Sequence, residues 1–447
     1  MQPTVLIIGA GYSGALLAAQ LLWRTSARVR LVERSGAFGP GLAYATDNPA
    51  HLLNVRTARM SAVPDQADHY VRWLQTHHPG YADPQGFTPR GVYGAYIAAT
   101  LDDADRSCPG RLQRIVAEAV SVEVGSTPAR VRFADGAIIE ADQVVLALGN
   151  NPPDPRGAAG LSPESSERLI NNPWAAGAFT GVRPADEVLV LGTGLTMIDA
   201  MLALEGGGWI GRATALSRRG LLPRAHSPHA SQGEVQPRAP GDGLLSVRTR
   251  LFRKRAAEIG WGRAMDEIRP FNPAIWRGLE QRERERFLRH LRPWWDVHRH
   301  RSPPDAAERL RALIEAGSLT VEAGRIVATE ARSGGIWIEW RRRGDTGSRR
   351  QRFDRVINCT GPLMDLEHSP DRLHRALLEG GLARTDPLGL SIEVDAGLRV
   401  IARDGRANPR LWAVGPLTRA ASWEVVAVPE IRAQVADLAE RLGAGGA

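Results

Sequence analysis

A short apolar run that empties into G-x-G occurs twice in this 447-residue chain, as "VLIIGAGYSG" at residues 5–14 and as "VLVLGTGLTM" at residues 188–197. A strand ending on such glycines turns tightly into a helix, because glycine alone accepts that backbone conformation and that close an approach of neighbouring chain. Each copy runs on into an apolar, helix-forming stretch and then into another short apolar run, "RVRLVER" in the first case and "RATALSRRG" in the second. Strand, glycine turn, helix and strand in that order begin a parallel α/β sheet, and the recurrence predicts two such units.

The later parts of each unit repeat as well. "RIVAEAVSVEVG", "ARVRFADGAIIEA" and "DQVVLALGN" alternate like a meander that returns to a buried strand, and "LTVEAGRIVATEA", "GIWIEWRRR" and "DRVINCTGP" follow the same plan. The expected fold is α/β, with two Rossmann-like dinucleotide-binding domains. The first is discontinuous, over residues 1–165 and 350–447, and the second, residues 181–345, is inserted into it. Within the second, residues 244–319 are rich in Arg, Glu, Leu and Ala with interspersed Trp and Phe, and read as a helical insertion broken at "RPFNP" and "RSPP". The Pro/Gly-rich "LLPRAHSPHASQGEVQPRAPGDG" before it reads as a loop or lid.

Composition removes several classes. The two cysteines, Cys108 and Cys359, form no C-x-x-C pair, which argues against disulfide frameworks, zinc or iron-sulfur sites and dithiol relays, and favours a reducing cytoplasm. In "WWDVHRHR", Asp296, His298 and His300 alternate at a spacing that does not gather ligands on one helical face, so no metal is expected. No apolar run is long enough to span a bilayer, and the apolar opening lacks a basic leader region. The net charge of +8 rests on arginine, with Lys254 the only lysine; such a bias is a weak sign of nucleic-acid binding, which is not expected.

In the first turn, Gly9, Gly11 and Gly14 serve the tight bend, the approach of a pyrophosphate and close helix packing, with the helix N-terminus facing the phosphate. Glu33, 24 residues after Gly9, ends the next strand, where a carboxylate binds ribose hydroxyls and repels a 2′-phosphate. With Arg34 and Gly149 it marks an FAD or NAD site. The second turn keeps Gly192 and Gly194, includes Thr196, and carries Met197 in place of the packing glycine, which should push the helix slightly outward. Ser217, Arg218 and Arg219 stand where Glu33 stood, and arginines there clamp a 2′-phosphate, so NADPH is expected over NADH. Two sites of opposite charge preference predict hydride flow from NADPH to FAD.

These strings, together with "GPGLAYATDNPAHLLNVRTARMSAVPD", "LSRRGLLPRAH", "RFLRHLRPWWDVHRHRSPP", "INCTGP" and "AVGPLTRAASWEVVAVPEIRAQ", resemble the bacterial FAD-NAD(P)-binding oxidoreductases, which share the layout of two-dinucleotide-domain flavoprotein monooxygenases. The resemblance implies FAD in the first unit and NAD(P)H in the second. It places Gly39, Gly41 and Asn54 in loops near the flavin, Gly361 at the end of "INCTGP", and Gly415, Pro416 and Leu417 in a late segment folded over FAD. Asn150 follows "LALG" either as a hydrogen-bonding amide or as a plain turn residue. No side chain announces itself as a proton-transfer group; Asn54, Asn150, His226 and His298 are the catalytic candidates, the last as a pocket wall with Trp294 and Trp295. The implied activity is monooxygenation with O2 of a small polar or amine-bearing molecule, N-hydroxylation being one version. An NAD(P)H:acceptor oxidoreductase or oxidase, and a non-enzymatic flavoprotein binding a partner, are the alternatives. The chain lacks the F-x-G-x-x-x-H-x-x-x-W signature, so Baeyer-Villiger chemistry is not expected.

Overall fold

In the computed structural model the described residues are 2–125, 128–154, 167–227, 236–239, 241, 243–332 and 334–444. The boundary expected at 165, and residues 228–235, 240 and 242 of the Pro/Gly-rich stretch, lie outside them.

β1 (Thr4–Ile8), α1 (Tyr12–Arg24) and β2 (Arg28–Glu33) make the first strand–turn–helix–strand step. α1 is buried from Tyr12 to Leu22, as its near-continuous apolar sequence requires. After the short helices α2 (Gly41–Tyr44) and α3 (His69–His77), α4 (Arg90–Ser107) packs on α1 and leads to β3 (Leu112–Val116), parallel to β2. The antiparallel meander β4 (Ala119–Glu123), β5 (Ala129–Phe133) and β6 (Ile138–Ala141) then delivers β7 (Gln143–Leu146) alongside β1 in parallel.

The second unit holds β8 (Leu169–Ile170), β9 (Val188–Leu191), α5 (Leu195–Gly206) and β10 (Ala213–Ser217). Five helices follow: α6 (Leu245–Ile259), α7 (Trp261–Ile268), α8 (Asn272–Gly278), α9 (Gln281–Arg286) and α10 (Arg292–Arg299). α11 (Pro304–Glu315) packs on α5 and enters β11 (Leu319–Arg332), so it is the sheet's own crossover helix and the insertion proper ends at α10. β11 runs parallel to β10 as far as Ala323, then bends to pair antiparallel with β12 (Gly335–Arg342), which pairs with β13 (Arg349–Phe353). β14 (Arg355–Asn358) closes the unit beside β9. The chain then adds α12 (Arg372–Glu379), β15 (Arg399–Ile401), β16 (Ala407–Ala413) and α13 (Val428–Ala444), which packs on α1.

The strand orders are β15-β16-β7-β1-β2-β3 in the first sheet and β13-β12-β11-β10-β9-β14-β8 in the second. Both ends of the chain thus build the first unit, with the second inserted, and the fold is two Rossmann-like domains with a helical insertion. The second sheet differs from the expected bounds: it runs to Asn358, past 345, and takes in β8 before 181. β14 must lie there, because it stands to β9 as β7 stands to β1. Matching aspartates fix both closures: Asp142 accepts the Thr4 N–H at 2.8 Å, and Asp354 accepts the Glu187 N–H at 3.0 Å. Among the described residues no helix is long and apolar enough to cross a membrane.

Candidate functional site

The two glycine turns match at their first glycine. Gly9 has φ +98° and donates to the Val32 carbonyl, while Gly192 has φ +103° and donates to the Leu216 carbonyl. A Cβ on Gly9 would lie 2.5 Å from the Ala147 carbonyl oxygen, and one on Gly192 would lie 2.3 Å from that of Cys359. Each turn is therefore wedged under the end of its unit's closing strand, and glycine is obligatory. Neither α1 nor α5 has an acid in its first turn, so both N-termini offer unshielded N–H groups suited to a phosphate.

The third position separates the units. A Cβ on Gly14 would fall 1.8 Å from the Gly9 carbonyl oxygen, whereas Met197 is fully buried in the apolar core of the second unit. The second turn is also more open at its middle glycine. A Cβ on Gly194 would meet nothing within 4 Å, while one on Gly11 would touch the Gly41 Cα at 3.3 Å.

Strand register places Glu33 and Ser217 at equivalent positions, one residue beyond Val32 and Leu216. The Glu33 carboxylate accepts the Ala10 N–H at 2.9 Å and the Ser35 N–H and hydroxyl at 3.0 and 2.8 Å, which holds it at the lip of the turn. Ser217 accepts the Gly220 N–H at 3.0 Å and bonds the Thr193 hydroxyl at 2.9 Å. Arg218 is exposed and Arg219 half-buried, and neither has an ion-pair or hydrogen-bond partner among the described residues. Arg34 instead leans away to Asp371, 3.4 Å off. An acid at one lip and two uncommitted guanidiniums at the other are the charge patterns that fit a bare ribose and a 2′-phosphate respectively.

Around the first turn, Gly39 and Gly41 bring their loop against Ala98 and Gly11. Gly415 is buried, with φ +77°; a Cβ there would strike Ser13 Oγ at 2.4 Å, so the segment Gly415, Pro416, Leu417 lies against the start of α1. Gly149 and Gly361, at matching ends of β7 and β14, both have positive φ and open space on the missing side-chain face. Asn150 is exposed, and it is Asn151 that bonds the Leu363 carbonyl. Thr196 is half-buried in the first turn of α5.

Two of the candidate catalytic residues meet each other. His226 Nε2 donates to the Asn54 carbonyl at 3.0 Å, its ring packs on Phe87 at 5.0 Å, and Arg56 lies on that same phenyl ring and donates to the Ser227 carbonyl at 2.7 Å. Burial pushes the imidazole down to about 4, so it is a neutral tie across the seam between the units. A second tie was invisible in the sequence: Arg90 donates to Asp199 at 2.9 Å and to the Leu52 carbonyl at 3.1 Å, with His51 on the Asp199 carbonyl at 3.2 Å. His298 stands apart, bonded to the Trp294 carbonyl at 2.8 Å and packed on Trp261 at 4.5 Å in the insertion. Sequence reading also missed Arg419, whose guanidinium sits 4.3 Å over the Trp423 ring and, although 9% exposed, has no acid within ion-pair distance among the described residues. Burial lowers it to about 10.

Among the described residues no group of three His, Cys, Asp or Glu is placed to hold a metal. Cys108 and Cys359 are unpaired, and burial raises the Cys359 thiol far above its usual range.

A family model described as FAD-NAD(P)-binding matches residues 6–151. Among solved structures, the reduced ornithine hydroxylase from Pseudomonas aeruginosa is 16% identical with a TM-score of 0.68, covering 100% of both chains. The L-lysine 6-monooxygenase from Pseudomonas syringae is 17% identical with a TM-score of 0.66, over 98% of this chain and 99% of that one. The FAD-bound cadaverine monooxygenase from Erwinia amylovora reaches a TM-score of 0.70 at 10% identity, over 99% and 95%. No curated protein matches. The first unit carries an FAD-NAD(P)-binding domain, and the whole chain has the fold of the two-dinucleotide-domain flavin oxidoreductases.

Proposed function

We propose that this protein is an FAD- and NADPH-dependent monooxygenase that oxygenates a small amine-bearing molecule, N-hydroxylation being the version its structural neighbours favour. The observation that carries the reading is the exchange at one register position: Glu33 beside the first glycine turn, and Ser217 followed by Arg218 and Arg219 beside the second. When bound, the flavin would supply hydride acceptance and oxygen activation. The chain's own work is to bind and orient. Gly9, Gly11 and the α1 N-terminus receive the FAD pyrophosphate, and Glu33 the ribose of its adenosine. Gly415 to Leu417 close the flavin side. Gly192, Gly194 and the α5 N-terminus receive NADPH, with Arg218 and Arg219 on its 2′-phosphate. The ties at His226 and Arg90 hold the two units in fixed relation, which a hydride transfer between them demands.

The test is the purified protein. It should be yellow, bleach rapidly with NADPH in the absence of oxygen, and, in a panel of ornithine, lysine, cadaverine and other amines, show substrate-dependent NADPH consumption with hydroxylated product and little peroxide. Reduction that always ends in stoichiometric peroxide would instead identify an oxidase.

A further inference from the structure

Arg419 is a buried cation without an acid. It is 9% exposed, and arginine is almost never so enclosed unless it is paired. Its guanidinium lies 4.3 Å over the Trp423 ring, a contact that offsets part of the lost hydration and consumes no hydrogen-bond donor. None of its side-chain nitrogens is hydrogen-bonded. Nε is sealed from solvent and the two terminal nitrogens are not, so it is the outer edge of the fork that meets an opening.

The carboxylates nearby are already taken. Glu424 receives Arg299 Nε on both oxygens at 3.0 Å and the Trp295 N–H at 3.2 Å. Glu430 receives Arg269 at 2.8 and 3.1 Å, and Asp296 receives Arg292 at 3.4 Å. Four guanidiniums thus stand against three carboxylates, and Arg419 is the one left over. His300 supplies no negative charge, since burial and these same four guanidiniums push its imidazole down to about 3. A shielded, unmatched positive charge is costly, and an incoming anion removes that cost. The excess is one charge, which suits a monoanion, and paired N–H groups on a planar cation match the two oxygens of a carboxylate.

Arg419 also stands where two parts of the chain meet. It follows the turn Gly415–Thr418, whose Gly415 lies on Ser13 at the start of α1. On the other side, α10 of the insertion is fastened to the same segment through Trp295 and Arg299 on Glu424. We infer that Arg419 anchors a binding site for a small monocarboxylate, held on its terminal N–H groups between this segment and α10. The site does not rest on the reaction proposed above; only the assignment of the carboxylate to the molecule oxidised does.

Melting curves of the FAD-loaded full chain in sodium acetate and in sodium chloride of equal ionic strength test it. Acetate should raise the Tm saturably and beyond chloride, by mass action on the folded state. Arg419→Met should need about tenfold more acetate, or more, for the same rise. Arg419→Lys, which keeps the charge and loses the fork, should also hold acetate more weakly than the parent. Each variant's acetate-free curve shows that it is folded. No acetate-specific rise in the parent, or one that Arg419→Met leaves unchanged, would overturn the site. The source of the carboxylate follows from NADPH consumption with ornithine and putrescine, which differ by that group alone. A preference of about tenfold for ornithine that acetate competes away and Arg419→Met removes assigns the carboxylate to the molecule oxidised. Acetate binding that leaves amine turnover unaltered assigns the site to a separate small acid. If no amine is consumed, the reaction proposed above fails, and the melting curves still decide the site.

Discussion

Arg90, at the start of α4 in the first unit, donates to the carboxylate of Asp199 on α5 in the second at 2.9 Å, with only 15% and 11% of the two side chains exposed. The pair joins the units at the level of the second glycine turn, because Asp199 lies one helical turn beyond Leu195. Removing one partner leaves a shielded charge unmatched, whereas removing both does not. Asp199→Leu should therefore destabilise the protein by about 3 kcal/mol, and the double variant Arg90→Met/Asp199→Leu should recover most of that loss. Denaturant titration of the single and double variants measures it. Additive losses would mean that the pair is not a tie.

The neutral His226 gives the seam a pH dependence of known sign. Its folded value of about 4 lies below the ordinary 6.5, so between those values the unfolded chain binds a proton that the folded chain refuses. The stabilisation is complete above about pH 6.5 and is lost as the pH falls toward 4, amounting to about 3 kcal/mol at most. His226→Gln keeps an N–H for the Asn54 carbonyl and cannot titrate, so the slope of stability against pH across that window should flatten. An unchanged slope would place the sensitive group elsewhere.

Much of this was legible in the sequence, and the reason is local. Each glycine turn, each Asp-led closing strand and the Glu33/Ser217 exchange is written in a few consecutive residues whose meaning is fixed by backbone geometry. The second sheet's end at Asn358 was also present, in the likeness of "DRVINCTGP" to "DQVVLALGN", and the bound at 345 ignored it. The seam was not legible. Arg90 and Asp199 are 109 residues apart and His226 and Asn54 are 172 apart, and no periodicity encodes such meetings. Nor does composition distinguish Arg419, unpaired and buried, from the many arginines that find acids.

The two remaining glycines of the second turn should respond oppositely to alanine. At Gly192 the new Cβ would fall 2.3 Å from the Cys359 carbonyl oxygen on a backbone at φ +103°, so Gly192→Ala should destabilise the fold by about 2 kcal/mol or more. At Gly194 the Cβ would meet nothing within 4 Å, so Gly194→Ala should leave thermal stability unchanged and raise the KM for NADPH by obstructing its pyrophosphate. Melting curves and NADPH titrations of both variants separate the roles; full NADPH affinity in a stable Gly194→Ala protein would remove the pyrophosphate from that turn.

Arg218→Ala/Arg219→Ala should raise the KM for NADPH by about ten- to a hundredfold and leave that for NADH nearly unchanged, since each charge-assisted bond to a 2′-phosphate is worth about 1.5–3 kcal/mol. Steady-state reduction of the flavin with each nucleotide decides it. A preference for NADPH that survived the double substitution would mean that the two arginines are surface charges and that the second unit selects its nucleotide elsewhere.

Arg419 offers the converse of a tie. Its guanidinium is 9% exposed and gains the face of Trp423 at 4.3 Å, a contact worth about 2 kcal/mol when desolvated. Against this stands the desolvation of an unpaired cation, several kcal/mol, which burial registers by lowering it to about 10. The penalty is the larger quantity, since the more distant charges oppose one another: Arg292, 5.5 Å from the same ring, repels the guanidinium while Asp296 and Glu424 attract it. Arg419→Met, apolar and of similar length, should therefore leave the ligand-free protein as stable as the parent or raise its Tm. A Tm lowered by several degrees would show that the cation–π contact outweighs desolvation and that Arg419 holds the 415–423 segment in place by itself.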